Sequence, residues 1–128
     1  MSGKQKFFIC KLCGNMIGFI ENKGTPISCC GEKMAELVPN TVEASNEKHL
    51  PAVTVSGDRM SVQVGSVLHP MADEHHITFI YVETENGGQC KNLKPGESPT
   101  AEFSFVEDKP VAVYEYCNLH GLWKTEVR

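Results

Sequence analysis

Four of the six cysteines fall between Cys10 and Cys30, as Cys10-Lys11-Leu12-Cys13-Gly14 followed by Cys29-Cys30-Gly31. In a Cys-x-x-Cys turn two sulfurs converge on one ion, and the glycine after it permits the tight turn that aims backbone amides at the thiolates. The adjacent pair is less usual. Neighbouring side chains diverge, so both sulfurs reach one tetrahedron only if the backbone is distorted between them. Four thiolates suit zinc as well as iron, and the spacing alone leaves a structural zinc ribbon and a redox iron equally open.

Every histidine lies further along, in Glu47-Lys48-His49, His69-Pro70-Met71, Asp73-Glu74-His75-His76 and Cys117-Asn118-Leu119-His120-Gly121. Any one of them alone reads best as a surface or satisfied polar residue. Clustered beside Pro, Gly and Cys turn signals, several imidazoles and one thiolate suit a divalent ion of intermediate softness, with iron, zinc and copper all chemically open. His75 and His76 are neighbours at what reads as the start of a strand, so their side chains point to opposite faces and only one reaches a shared metal. At most four histidines then join Cys117. Glu47 and Lys48 adjoin His49 closely enough for a side chain to overhang such a site; the alternative is a solvated pair. Met71 reads as packing. Cys90 matches no ligand pattern and reads as a small buried hydrophobe.

Elements must hold these residues, and composition bounds what they can be. The chain has 128 residues with 41% hydrophobic content, enough for one modest core but not for two large domains. The glycine-rich and proline-containing stretch around the first four cysteines predicts a small loop-rich knot that a metal must hold together. The pattern ends near Pro39, and Thr41-Val42-Glu43 begins a polar connection, giving domains at 1–37 and 38–128. From Ala52 onward β-rich runs recur at Ala52–Val55, Met60–Val64, Ile77–Glu83, Ala101–Val106 and Val111–Tyr116, with no competing helix. Turn signals at Ser56-Gly57-Asp58, Asn86-Gly87-Gly88 and Lys94-Pro95-Gly96 favour an antiparallel all-β sandwich of about seven strands.

Net charge is −4, with no basic cluster and no series of stacking aromatics, which argues against nucleic acid as a partner. The N-terminus shows no apolar run long enough for a signal-peptide core or a membrane span, so the expectation is a cytoplasmic protein with no membrane partner. Six cysteines in a reducing compartment are metal ligands or thiols rather than disulfides.

Over almost its whole length the sequence resembles the desulfoferrodoxins, the two-iron form of superoxide reductase. Cys10-x-x-Cys13-Gly14 with Cys29-Cys30-Gly31 resembles the desulforedoxin domain, in which a rubredoxin-like iron sits among four sulfurs. Glu47-Lys48-His49, His69-Pro70-Met71 with His75 six residues after His69, and Cys117-Asn118-x-His120-Gly121 resemble the family's neelaredoxin-like catalytic site. The resemblance implies an immunoglobulin-like β-sandwich after the knot. It implies a square-pyramidal iron with His49, His69, His75 and His120 equatorial and Cys117 axial, and the six-residue spacing picks His75 over His76. It further implies superoxide as substrate and hydrogen peroxide as product. Lys48 is then the attractor of the anion, and Glu47 a carboxylate for the sixth position of the ferric state. A rubredoxin-like electron donor and a homodimer complete the picture. Four neutral imidazoles and a thiolate around Fe(II) sum to +1, a small positive spot on an acidic protein. A non-catalytic iron electron carrier and a zinc-stabilised binding module are the competing functions.

Overall fold

A computed structural model describes residues 5–127. The chain divides between Val38 and Pro39 into two compact units. In the first, β1 (Phe7–Ile9) is flanked by β2 (Met16–Gly18) and β5 (Ala35–Leu37), both antiparallel to it, while β3 (Ser28–Cys29) and β4 (Glu32–Lys33) form a separate hairpin. Its apolar interior is slight: Phe7, Cys10 and Met34 are the buried residues, and Phe8 and Phe19 meet edge to face at 5.2 Å. So small a core cannot hold such loops without a crosslink.

In the second unit a single helical turn, α1 (Asn46–His49), precedes β6 (Pro51–Ser56), β7 (Arg59–Val64), β8 (Ile77–Thr84), β9 (Gly87–Asn92), β10 (Thr100–Ser104), β11 (Pro110–Cys117) and β12 (Gly121–Glu126). Two antiparallel sheets result, ordered β10-β7-β6 and β12-β11-β8-β9. Alternate residues of facing strands fill the space between them: Met60, Val62 and Val64 from β7, Ala101 and Phe103 from β10, Ile80 and Val82 from β8, Val113 and Cys117 from β11. Each fully buried aliphatic side chain there contributes roughly 1.5–3 kcal/mol. This is the expected mostly β architecture of a metal knot followed by an immunoglobulin-like sandwich.

Two expectations need correction. The strand expected to continue to Val106 ends at Ser104, and Val106 is exposed. Cys90 is not buried: it sits on β9, an edge strand exposed at every position, with its thiol 3.7 Å from Asn92 Oδ1. Among the described residues no helix is long and apolar enough to cross a membrane.

Candidate metal centres

The first unit gathers Cys10, Cys13, Cys29 and Cys30, whose sulfurs all lie within 4.8 Å of one another. Cys13 Sγ is 3.6 Å from Cys29 Sγ, and Cys29 Sγ is 3.9 Å from Cys30 Sγ. Thiolates about 2.3 Å from a tetrahedral ion stand about 3.8 Å apart, so the donor set fits such an ion. The distortion that an adjacent pair demands is visible, because Cys30 has φ 55° and Gly31 φ 76°. Gly14, at φ 86°, closes the other turn, where its N–H reaches Cys10 O at 2.8 Å and the Asn15 N–H reaches Cys13 Sγ at 3.4 Å. The Cys13 backbone amide brings the Cys10 thiol down to about 7, whereas the Cys13 thiol pushes Cys30 up to about 12. Sulfurs this crowded compete for charge, and a central cation resolves the conflict. Cys13 and Cys30 are exposed.

In the sandwich unit, His49, His69, His75 and Cys117 each bring a donor atom within 4.8 Å of the others. His120 joins them, its Nδ1 3.0 Å from His49 Nε2 and 3.8 Å from Cys117 Sγ. The rings form a square. Going round it, His49 to His69 is 4.8 Å, His69 to His75 4.6 Å, His75 to His120 5.2 Å and His120 to His49 4.8 Å between centroids, each pair edge to face. Across it, His49 and His75 lie 6.5 Å apart and within 29° of parallel. Ring nitrogens about 2.1 Å from one ion stand about 3.0 Å apart when adjacent. The observed 3.0 Å from His49 to His120 and 3.2 Å from His49 to His69 meet that demand.

Each donor is supplied by a different local structure. His49 ends α1, and its Nδ1 lies 2.7 Å from Ser45 O, which assigns the proton to Nδ1 and turns Nε2 inward. His69 does the same with Pro70 O at 2.7 Å. His75 sits in a tight loop closed by mutual Ala72–His75 backbone bonds, and its buried Nε2 has no hydrogen-bond partner among the described residues. An unpartnered buried ring nitrogen within 4.8 Å of the other ligand atoms is what an ion would satisfy. Burial pushes His69 down to about 4 and lowers His49 and His75 as well, so these imidazoles are neutral and ready to ligate. Cys117 closes β11 in the core; burial raises its thiol, while the backbone amides of Leu119 and His120 act in the opposite sense.

Glu47 and Lys48 are exposed on the same turn as His49. Burial is the main cause of the lowering at His49 and His75, and the positive charge of Lys48 adds to it at both. His76 stays outside the cluster, with Nδ1 3.2 Å from Ala72 O. Met71 packs against the core and accepts the Ile77 N–H on its sulfur at 3.3 Å.

Two residues at this centre, Trp123 and Gly65, carry no signal in the sequence, and a third, Asn118, is marked there only as part of the Cys117-Asn118-x-His120-Gly121 motif. Trp123 stacks on His49 at 5.0 Å and donates its indole N–H to His120 O at 3.1 Å. Gly65 lets β7 pass against α1, since a Cβ there would stand 2.6 Å from Glu47 O and 2.9 Å from the Lys48 carbonyl carbon. Asn118 bonds to the loop that carries His75. Apart from the local Trp123–His120 bond, these contacts join segments far apart in the chain, which a sequence window cannot see.

A β-sandwich that carries a square of four imidazoles beside a buried thiol, with a separate four-sulfur knot, defines a non-haem metalloprotein of two centres. The family model for desulfoferrodoxin matches residues 41–126. A desulfoferrodoxin of Syntrophotalea carbinolica is 40% identical over 126 residues, covering 98% of this chain and 99% of the relative. A superoxide reductase of Pyrococcus horikoshii is 37% identical over 101 residues, covering 64% of this chain and 87% of its own. The crystal structure of the superoxide reductase from Treponema pallidum superposes with a TM-score of 0.82 at 35% identity, covering 97% of this chain and 100% of that one. The chain belongs to the desulfoferrodoxin family.

Proposed function

We propose that this chain is a superoxide reductase. It converts superoxide, one electron and two protons to hydrogen peroxide at the centre formed by His49, His69, His75, His120 and Cys117. A second iron sits among Cys10, Cys13, Cys29 and Cys30, in a domain of residues 1–37 that serves the catalytic domain of residues 38–128. The observation that carries the reading is the square of imidazole rings with the Cys117 sulfur beside it. Iron held by these five residues would supply the one electron to an oxygen anion.

The protein's own groups do the rest. Carbonyls of Ser45 and Pro70 hold His49 and His69 in the tautomer that faces the ion, and burial keeps the imidazoles from taking up protons instead. Cys117 would hold the ion through a thiolate shielded from solvent, whose electron donation would tune the metal. Lys48 draws the anion toward the site, against the overall negative charge of the chain. Glu47, beside it, would offer the ion a carboxylate when substrate is absent. Solvent supplies the protons through the exposed Glu47–Lys48 side of the site.

Six free cysteines support a reducing, cytoplasmic setting in which the protein detoxifies superoxide. The family resemblance adds a rubredoxin-like donor and a homodimer to the reading. The exposed sulfurs of Cys13 and Cys30 favour a second role, non-catalytic electron transfer through the first centre. Metal analysis of the purified protein, with anaerobic stopped-flow mixing of reduced protein and superoxide, separates the two. The superoxide reductase reading predicts iron at both centres and a fast transient at the histidine centre on mixing with superoxide, whereas a pure carrier shows no such transient.

A further inference from the structure

The backbone around His75 is accounted for group by group, and Asn118 supplies what the loop cannot. His75 uses its own N–H and C=O within the loop, bonding Ala72 O at 3.1 Å and receiving the Ala72 N–H at 2.9 Å. That leaves the two peptide groups on either side, the Glu74 carbonyl and the His76 amide. Asn118 takes both with one side chain, Nδ2 donating to Glu74 O at 3.0 Å and Oδ1 accepting the His76 N–H at 2.8 Å. Its backbone N–H also reaches His76 O at 3.1 Å, one rung past the point where the β8–β11 ladder ends at Ile77 and Cys117. In effect the amide side chain continues the ladder along a segment that has no strand partner.

We propose that Asn118 is a positioning residue that locks His75 into the metal centre and ties it to the loop carrying Cys117 and His120. The inference rests on the reading of His75 as a ligand. Two observations separate this role from ordinary packing. Asn118 is exposed, so it fills no part of the core. Its amide is also used as donor and acceptor at once, which neither a carboxylate nor an aliphatic side chain of similar size can reproduce. His75 otherwise hangs on a four-residue loop, and its Nε2 has no hydrogen-bond partner among the described residues to hold the ring in place.

The test measures metal retention rather than turnover. Metal-free protein is loaded with Co(II), and the rate of its loss from the histidine centre to a chelator is followed by the visible ligand-field bands, beside the thermal midpoint of the metal-free chain. Outer-shell partners of ligating histidines typically govern metal affinity by about 10- to 100-fold. Asn118→Ala should therefore release Co(II) about 10- to 100-fold faster with altered bands, while the metal-free midpoint barely moves. Asn118→Asp, which keeps the acceptor for His76 and loses the donor to Glu74, should fall between Ala and wild type. Leu119→Ala, a neighbouring exposed residue, should match wild type. His75→Ala calibrates the underlying reading: if it leaves Co(II) bound as before, His75 is not a ligand and the proposal falls with that reading. If His75→Ala loosens the metal but Asn118→Ala does not, or if Leu119→Ala loosens it equally, the clamp is refuted while the ligand reading stands.

Discussion

Gly65→Ala puts the architecture around α1 under direct strain. The added methyl would stand 2.6 Å from Glu47 O, 2.9 Å from the Lys48 carbonyl carbon and 3.0 Å from Leu50 O. All three are backbone atoms, so no side chain can swing away. Comfortable contact begins at about 3.5 Å, and relief of the worst contact therefore needs a shift of about 0.9 Å. Because α1 carries Glu47, Lys48 and His49 together, any shift that relieves the clash moves a ligand and both flanking charges. Overpacking of this kind costs about 1–3 kcal/mol. In a unit of this size that lowers the thermal midpoint by roughly 5–20 °C. A reacting group misplaced by about 1 Å loses on the order of 10²-fold in rate. The assay compares thermal midpoint, metal retention and the second-order rate with superoxide for Gly65→Ala and for Gly57→Ala. Gly57 is the control because it has φ 61° and open space around it, so alanine there strains the turn without touching the site. The reasoning predicts lost stability in both variants but lost metal retention and rate only in Gly65→Ala. A Gly65→Ala protein that keeps its metal and its rate would refute the claim that this close approach sets the position of His49.

Other perturbations separate the remaining parts. Cys13→Ser should abolish the visible spectrum of the four-sulfur iron while single-turnover superoxide reduction persists at the other centre; loss of both would overturn the accessory role of the first. Lys48→Ala should leave both metals bound. A positive charge roughly 6 Å from the anion is worth about 1–3 kcal/mol, so the bimolecular step should slow by about ten- to a hundredfold and lose most of its salt dependence. Equal rates and equal salt slopes would make Lys48 a solvated surface residue. Glu115 is wholly buried on β11 with neither carboxyl oxygen partnered among the described residues, and burial pushes it well above its ordinary value of 4.5. A raised folded value means that the folded chain holds this proton more tightly, so its contribution is complete below about pH 4.5 and is lost as pH rises above that point. Glu115→Gln should remove that decline, seen as a flatter dependence of urea midpoint on pH above 4.5 than in wild type. Parallel curves would show that the carboxyl is satisfied.

The parts of the fold legible in the sequence were those that carry local chemistry. Alternating apolar residues mark β7 and near-continuous apolar and aromatic runs mark β8 and β11, while the Ser56-Gly57-Asp58 and Asn86-Gly87-Gly88 signals fall at the turns that join β6 to β7 and β8 to β9. Two strands gave little warning. β9 reads Gly-Gly-Gln-Cys-Lys-Asn, exposed throughout, and exists because β8 offers it a hydrogen-bonding edge. β12 follows the Cys117–His120 turn so closely that its pairing with β11, not its composition, defines it. The one-turn helix α1 is too short to show a period. At the second centre, types and spacing identified the ligand candidates, and the structure brings them together with His76 outside. His76 is excluded by a loop bonded to Ala72 rather than by strand alternation, so the geometric reason differs from the one inferred. A cysteine inside a β-rich stretch reads as core, and only the sheet order shows that the strand of Cys90 lies at an edge.

The central claim concerns what the histidine centre does to superoxide, and product stoichiometry decides it. Reduced, iron-loaded protein is mixed anaerobically with substoichiometric superoxide, and hydrogen peroxide, dioxygen and oxidised iron are counted. Reduction predicts one peroxide and one oxidised centre for each superoxide consumed, with no dioxygen formed. Dioxygen released together with one peroxide for every two superoxides would mean dismutation, and superoxide lost no faster than in buffer would mean that the centre does not act on it.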